Sequence, residues 1–175
     1  MGEDKALLAF GSNVLIAHVA VTVLNAAGSV ALVGPVEAYR HLNFAVVPDV
    51  YPGFGPVGGV VSALSSPFAA EWNLIVACDM PGVSNEFLSS LLSAAVDCSA
   101  DCTVPKTTDG RIHALCAVYR QTARLPLLRA VEAGIHKLQH AIEVLNVHLQ
   151  PVSAPELLAN VNTPAQWKTF QNVTH

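Results

Sequence analysis

The sequence is poor in charged residues, in aromatic residues and in long apolar runs. Only 13% of its 175 residues are charged and 6% are aromatic, and 9 Lys and Arg face 13 Asp and Glu. A net charge of −4 excludes the broad basic surface of proteins that bind DNA or RNA. No apolar run reaches the roughly 20 residues of a membrane span, and the first residues do not resemble a signal peptide. We therefore expect a cytoplasmic protein without nucleic-acid or membrane partners.

Cysteine is also scarce. The spacing of Cys78, Cys98, Cys102 and Cys116 fits neither a paired zinc knuckle nor a dense disulfide framework. Reduced and partly buried thiols are expected instead. Apolar residues are abundant, at 52%, which suits one domain whose sheet is covered on both faces.

Short apolar runs alternate with helical patterns along the chain. Strands are expected at 29–33, 44–47, 73–78, 102–105, 114–119 and 144–149, and helices at 14–25, 85–96, 123–133 and 135–142. Gly28 should end the first helix and Ser84 should cap the second. The turn at Asp109–Gly110 predicts a hairpin between the flanking strands. The alternation predicts one α/β domain over residues 1–175, a sandwich with a mostly parallel sheet.

Three candidate ligand-binding segments lie just beyond predicted strands, where α/β sheets bind ligands. Asp79 precedes Met80–Pro81, which turns the chain and leaves a carboxylate suited to magnesium at the rim of the sheet. Asp49 could accept hydrogen bonds from a base or ribose. Gly53–Gly59 could bring backbone close to a phosphate ahead of a helix that runs to about residue 65. Each segment is equally compatible with a carboxylate or glycine that only orders a turn.

The segment from Asn160 to Pro164 carries two amides. Asn160 and Asn162 are two positions apart, so on an extended segment both side chains point to the same side and could reach one ligand. Alternatively, Asn162 or Thr163 caps a helix that begins at Pro164.

Four segments, in this order, resemble motifs of the molybdenum cofactor guanylyltransferases, a family of nucleotidyltransferases with a Rossmann-like fold. Met1–Leu8 is similar to the end of the signature Gly-Gly-x-Ser-x-Arg-Met-Gly-x-Asp-Lys. Pro48–Asp49 and Gly55–Gly59 are similar to the Asp…Gly-Pro-Leu-Ala-Gly segment. Cys78–Pro81 matches the Cys-Asp-Met-Pro metal motif, and Asn160–Pro164 matches Asn-x-Asn-Thr-Pro. The resemblance covers essentially the whole chain.

The resemblance implies a three-layer sandwich of the nucleotide-diphospho-sugar transferase type, with the first strand and the signature loop missing. We expect that Met1 is the internal Met of the signature and that the gene starts upstream. Gly34 occupies a position where the family often has an Asn that contacts the nucleotide. The choice between GTP and CTP therefore stays open.

The activity implied by the resemblance is magnesium-dependent transfer of GMP from GTP to the phosphate of molybdopterin, with release of pyrophosphate. The implied catalytic residues are Asp79, which is also the metal ligand, and Lys5. The implied contacts with GTP are Lys5, Asp49, Gly55, Pro56, Gly58, Gly59 and Asp79. The residues implied on the molybdopterin side are Asn160, Asn162 and His113. Molybdoenzymes or their chaperones are implied as further partners.

Two other functions remain open at this point. One is a related cytidylyltransferase or sugar-phosphate nucleotidyltransferase. The other is a truncated protein that binds GTP or molybdopterin without catalysis.

The proposed transfer makes few demands on side chains, because a phosphate monoester with a second pKa near ~6 is already largely ionised at neutral pH. The nucleophile therefore needs no general base.

Overall fold

Strands and helices alternate along the computed structural model, which describes residues 4–11, 13–161, 166 and 170. The strands are β1 (Ala9–Phe10), β2 (Asn13–Val14), β3 (Ala31–Val33), β4 (Ala45–Val47), β5 (Trp72–Val76), β6 (Cys102–Thr107), β7 (Cys116–Arg120) and β8 (Val147–Val152). The α-helices are α1 (Leu15–Ala27), α2 (Val36–Tyr39), α3 (Gly55–Leu64), α4 (Asn85–Val96), α5 (Arg124–Glu132) and α6 (Leu138–Ala141). Short 3₁₀ turns cover Lys5–Leu7, Arg40–Leu42, Gln121–Ala123, Ile142–Val144 and Pro155–Leu158. No helix among these residues is long and apolar enough to cross a membrane.

The strands of the described residues form three separate pieces of sheet. β1 and β2 make a short hairpin, β3 and β4 pair in parallel, and the third piece has the order β5-β7-β6-β8. β6 and β8 are parallel, whereas β7 runs antiparallel to both of its neighbours. The sheet is therefore mixed, and the expected parallel pairing is found in β3–β4 and β6–β8.

The antiparallel direction of β7 follows from the turn that precedes it. Gly110 has a φ of +87°, and its N–H donates to the carbonyl of Thr107 at 2.9 Å. A turn this tight returns the chain beside the strand that it has just left. The hairpin predicted at Asp109–Gly110 is confirmed.

Helices cover both faces of the main sheet, and β7 shows this most clearly. Ala117 and Tyr119 belong to a core built with α3 and α5, whereas Cys116 and Val118 pack with residues of α4 on the other face, where α1 also lies. All four side chains have 0% exposure. Because alternate residues of a strand point to opposite faces, this burial requires a helical layer on each side. The predicted sandwich is confirmed.

α1 ends and α4 begins at the residues that the sequence predicted. The amide of Gly28 donates to the carbonyl of Leu24 at 2.8 Å, and a φ of +76° takes the chain out of α1. The Ser84 hydroxyl accepts from the amide of Phe87 at 3.2 Å at the start of α4. Both predictions are confirmed.

Other boundaries differ from the sequence-based expectation. α3 begins at Gly55, inside the glycine-rich segment, because Pro56 suits a first helical turn, where its missing N–H costs nothing. β8 spans Val147–Val152 instead of 144–149, since Ile142–Val144 forms a 3₁₀ turn. The helix expected at Pro164 lies outside the described residues.

A cleft separates β3 from β5, and we call it the β3–β5 cleft. Two cavities of about 350 Å³ each lie along it. Ala31 and Trp72 line one of them, and Val33 and Val76 line the other. The cleft divides the small parallel pair from the main sheet.

Candidate active site

Asp79 lies in the turn that follows β5, and the structure joins it to Asn160. The amide nitrogen Nδ2 of Asn160 donates to Oδ2 of Asp79 at 2.9 Å, although the two residues are 81 positions apart. The amide of Val161 also donates to the carbonyl of Asp79, at 2.8 Å. The two motifs that the sequence analysis singled out as ligand-binding segments are therefore in direct contact.

Two oxygen atoms of this pair have no hydrogen-bond donor within the part of the chain that the structure describes. They are Oδ1 of Asp79 and Oδ1 of Asn160, and both are buried. Nearly all buried polar atoms in proteins have a partner, because an unpaired one loses its hydration without compensation. Carboxylate and amide oxygens are ligands that hard divalent cations prefer. The pair therefore fits a divalent cation.

The protein would supply only part of the coordination of such a cation. Among the described residues, no group of three or more His, Cys, Asp or Glu side chains is placed to hold a metal ion. Magnesium commonly takes one or two carboxylates and completes its octahedron with water and substrate phosphates. The two oxygens of Asp79 and Asn160 are consistent with this kind of coordination.

Lys5 is held at the start of the described chain by its neighbour Asp4. The Asp4 carboxylate accepts from the amide of Ala6 at 3.0 Å and from the hydroxyl of Tyr39 at 2.8 Å. Burial raises the pKa of Tyr39, and the hydrogen bond to Asp4 raises it further. The Tyr39 hydroxyl therefore remains a donor at neutral pH and fixes the 3₁₀ turn that begins at Lys5.

The charges of Lys5 and Asp79 both act on the thiol of Cys78. Burial raises the pKa of Cys78 to about 11, the carboxylates of Asp79 and Asp4 add to the rise, and the Lys5 ammonium opposes it. Cys78 is therefore an uncharged thiol at neutral pH. No ion pair joins Lys5 to Asp79 among the described residues, and the catalytic roles expected for the two side chains stay predictions.

Asp49, just beyond β4, is held by hydrogen bonds to its own loop and to α3. Its Oδ1 accepts from the amide of Tyr51 at 3.0 Å and lies 3.1 Å from Oγ of Ser62. The Ser62 hydroxyl also accepts from the amide of Val50 at 3.0 Å and lies 2.8 Å from the carbonyl of Gly58. Asp49 lines the carboxyl end of the β3–β5 cleft as well. Its contact with a nucleotide stays a prediction.

The glycines of α3 divide into two kinds. A Cβ atom at Gly58 would lie 2.7 Å from the carbonyl oxygen of Tyr51, so this glycine permits close packing of the loop. A Cβ atom at Gly59 would meet nothing within 4 Å, and Gly59 lines the cleft together with Pro56. Gly55 has a φ of +56°, which the chain uses to enter the helix. Roles of Gly55, Pro56, Gly58 and Gly59 in binding GTP stay predictions.

Of the three residues expected on the molybdopterin side, the structure describes Asn160 and His113 and shows no hydrogen bond between them. Asn160 lines a cavity of about 900 Å³, whereas Asn162 lies outside the described residues. His113 is 6% exposed, and burial lowers its pKa. Its backbone amide donates to Pro105, and within the described chain no hydrogen bond joins it to Asp79 or Asn160. Its role stays a prediction.

Several polar residues around the 900 Å³ cavity were not identified from the sequence. Nε2 of His18 lies 3.2 Å from the carbonyl oxygen of Pro81. The other polar residues that line this cavity include Thr22 and Asn25 of α1 and Ser84 and Asn85 at the start of α4. Thr22, Asn25 and Asn85 occupy ordinary helix positions and Ser84 was predicted only as a helix cap, so no local pattern identifies them as lining a cavity. Ser62, which contacts Asp49, could have been identified from the sequence because it is the only polar side chain of α3.

Comparison with known proteins gives a consistent family. The model of the MobA-like NTP transferase domain matches residues 1–167. A probable molybdenum cofactor guanylyltransferase from Carboxydothermus hydrogenoformans is 30% identical, with 99% of this chain and 89% of the relative covered. A protein with the same description from Flavobacterium johnsoniae is 29% identical, with 93% of this chain and 90% of the relative covered.

Solved structures agree with these relatives. The crystal structure of molybdopterin-guanine dinucleotide biosynthesis protein A from Archaeoglobus fulgidus has a TM-score of 0.81 and 25% identity, over 99% of this chain and 91% of that one. The 2-C-methyl-D-erythritol 4-phosphate cytidylyltransferase from Thermus thermophilus has a TM-score of 0.74 at 16% identity, over 97% of this chain and 93% of that one, and this likeness shows the fold alone. The fold is of the nucleotidyltransferase type, and the chain belongs to the MobA-like NTP transferase family of enzymes.

Proposed function

We propose that this protein transfers GMP from GTP to the phosphate of molybdopterin, giving molybdopterin guanine dinucleotide and pyrophosphate. The observation that carries the proposal is the Asp79–Asn160 pair, whose two unpaired buried oxygens lie at the carboxyl end of β5. The names of the relatives support the choice of substrates. Lys5, whose charge acts on Cys78, would supply a cation for the phosphates.

The reaction joins two anions, and this requirement fits the residues present. The terminal phosphate of molybdopterin attacks the α-phosphorus of GTP, the bond to the bridging oxygen breaks, and pyrophosphate leaves with the electron pair. The attacking oxygen is already ionised near neutral pH. Catalysis therefore consists of alignment and charge neutralisation, which need no general base.

Asp79 and Asn160 would hold magnesium through their unpaired oxygens. The bound ion would neutralise charge on the triphosphate, the usual contribution of a metal in phosphoryl and nucleotidyl transfer. Asn160 also fixes the carboxylate of Asp79 by its hydrogen bond. A carboxylate that is already held in position needs no reorganisation, and so incurs no free-energy cost, when the substrate binds.

The two substrates would approach from opposite sides of the Asp79 turn. GTP would lie at the carboxyl end of the β3–β5 cleft, which is lined by Asp49, Pro56 and Gly59. Molybdopterin would occupy the 900 Å³ cavity beside Asn160, where Ser84 caps the amino end of α4. A helix amino end with free amides is a favourable place for a phosphate.

The test is a transfer assay with purified protein, molybdopterin, Mg²⁺ and an equimolar mixture of GTP and CTP. We expect GMP to be incorporated at least about tenfold faster than CMP, the discrimination that a site hydrogen-bonding the base can achieve. EDTA should stop the reaction and Mg²⁺ should restore it. Faster incorporation of CMP would assign the protein to a cytidylyl activity. Binding of GTP by calorimetry without any product would support a non-catalytic binding protein.

A further inference from the structure

The loop that leads into α3, residues 53–56, has little in its own sequence to hold it in one conformation. Gly53 and Gly55 have φ angles of +90° and +56°, in the left-handed region that favours glycine. Glycine loses more conformational freedom on folding than any other residue, so fixing two of them in one loop is costly. The residue at the N-cap of α3 is Phe54, whose side chain makes no capping hydrogen bond. The loop therefore depends on contacts with another part of the chain.

His136, between α5 and α6, makes two such contacts. Its ring stacks on that of Phe54, with 4.8 Å between the ring centroids and 6° between the ring planes. Its Nδ1 lies 3.2 Å from the carbonyl oxygen of Gly53 and donates to that oxygen in the tautomer that carries the proton on Nδ1. The stack fixes the side chain of the loop and the hydrogen bond fixes its backbone, so together they favour one conformation.

The position of His136 is itself fixed by the end of α5. The amide of Gly134 donates to the carbonyl of Val131 and that of Ile135 to the carbonyl of Ala130, both at 2.9 Å, and Gly134 has a φ of +77°. This is the Schellman arrangement, which ends a helix and sets the direction of the chain beyond it. Two residues after His136 the chain enters α6, which packs in the same core as α3. His136 is therefore anchored on both sides.

His136 acts on the loop from outside the cavity that the loop helps to form. Pro56 and Gly59, at the start of α3, line the cavity at the carboxyl end of the β3–β5 cleft. His136 is exposed and is not among the residues that line this cavity. An exposed side chain adds little apolar burial to the stability of the fold. Its two contacts therefore bear mainly on the conformation of the loop.

We propose that His136 is a positioning residue for the nucleotide, which holds the 53–56 loop in the conformation in which the start of α3 contacts GTP. The inference rests on the proposed function, which places GTP beside Pro56 and Gly59. Without His136 the loop samples several conformations, and the apparent affinity for GTP falls to the fraction of molecules that are competent to bind it. The groups around Asp79 are untouched, so kcat at saturating GTP stays nearly the same while KM rises.

The test compares three substitutions of His136 by calorimetric titration of the full chain with GTP and Mg²⁺. His136→Ala removes both contacts, and we expect the Kd for GTP to rise by about tenfold. His136→Asn keeps a donor near the place of Nδ1 and His136→Phe keeps a ring for the stack, so each should restore part of the affinity. His140→Ala is the matched control at an exposed position of α6, and its Kd should equal that of the unmodified protein.

Hydrogen exchange reports on the loop without any nucleotide. The amide of Phe54 donates to the carbonyl of Tyr51 at 3.1 Å, and in His136→Ala it should exchange at least about tenfold faster. The amide of Val61, a residue of α3 with 0% exposure, should keep its rate because the core is intact. Saturating GTP should slow the exchange of Phe54 again, since the nucleotide then orders the loop.

Three results would overturn the proposal, and they are distinguishable. Normal binding of GTP by the unmodified protein with the same Kd in His136→Ala would refute the role of His136 alone. Equal acceleration of exchange at Phe54 and Val61 would mean that His136 stabilises the whole fold and not the loop. Absence of GTP binding by the unmodified protein would refute the proposed function itself, and the role of His136 with it.

Discussion

Asp49 and Asp79 occupy equivalent places in the fold but differ in their hydrogen bonding. Each follows a strand, β4 or β5, and each was identified from the sequence as a candidate ligand of the nucleotide or metal. Oδ1 of Asp49 is engaged by the amide of Tyr51 and by Ser62, whereas Oδ1 of Asp79 is buried with no partner among the described residues. The fold supplies hydrogen-bond donors to Oδ1 of Asp49 but none, among the described residues, to Oδ1 of Asp79.

This difference supports the metal role proposed for Asp79, and the contact of Asp49 with GTP stays a prediction. A buried carboxylate oxygen without a donor is destabilising, and folded proteins rarely keep one unless something binds there. Among the described residues, Asp79 receives one side-chain hydrogen bond, from Asn160, whose Oδ1 has no partner there either. Position at the end of a strand therefore predicts candidates, and the supply of hydrogen-bond donors favours Asp79 as the metal ligand.

The largest expected effect is that of Asp79→Asn. The amide keeps the size of the side chain and an oxygen for Asn160 but removes the charge that would bind magnesium. We expect kcat for transfer to fall by about 10³-fold or more, the scale of preorganised electrostatic groups. The melting temperature should not fall, since a buried charge is removed. The exposed Asp97 at the end of α4 offers the control Asp97→Asn, and undiminished magnesium-dependent turnover in Asp79→Asn would refute the assignment.

Asn160→Leu should have the next largest effect. It leaves Asp79 in place but removes the donor to Oδ2 and the second unpaired oxygen. Groups that orient a metal ligand typically contribute 10–100-fold, so we expect about that loss in apparent affinity for Mg²⁺. A titration of turnover against Mg²⁺ measures it. Asn146→Leu, at an exposed position, is the control, and a Mg²⁺ dependence equal to that of the unmodified protein would argue against a role for Asn160.

Local chemistry was predictable from the sequence, and contacts between distant segments were not. The ends of α1 and α4 follow from Gly28 and Ser84, because a cap bonds to residues within one turn. The bond between Asp79 and Asn160 joins residues 81 positions apart, so each motif could be identified but not their contact. The role of Gly58 depends on the carbonyl of Tyr51, seven positions earlier, in a loop whose course no sequence pattern fixes.

The partial exposure of β5 does not follow from its own residues. Its apolar sequence indicates a strand covered on both faces, and the helical layers do cover it. The exposure arises from its open edge, which depends on how far β3 lies from it in the folded chain. Strand pairing is a property of the assembled sheet, so a sequence pattern that identifies the strand does not reveal a missing neighbour.

Asp49→Asn should have a smaller effect than either change at the metal pair. The amide oxygen can still accept from Tyr51 and Ser62, so the loop keeps its course. If the carboxylate also contacts GTP, the KM for GTP should rise by about tenfold with kcat nearly unchanged, the signature of lost uniform binding. Steady-state kinetics at saturating Mg²⁺ measures both constants. A fall in kcat as large as that of Asp79→Asn would erase the distinction between the two carboxylates.

Ser62→Ala tests the structural side of the comparison and should barely change catalysis. Ser62 is 2% exposed, and its hydroxyl is the acceptor for the amide of Val50 and a neighbour of Asp49. Leaving that amide unpaired should cost about 1–3 kcal/mol, which lowers the melting temperature by roughly 2–4 °C per kcal/mol in a chain of this size. Thermal unfolding measures the loss, with the exposed Ser90→Ala as control. A stable variant with a strongly reduced kcat would mean that the Asp49 loop takes part in catalysis, and the two carboxylates would then share one function.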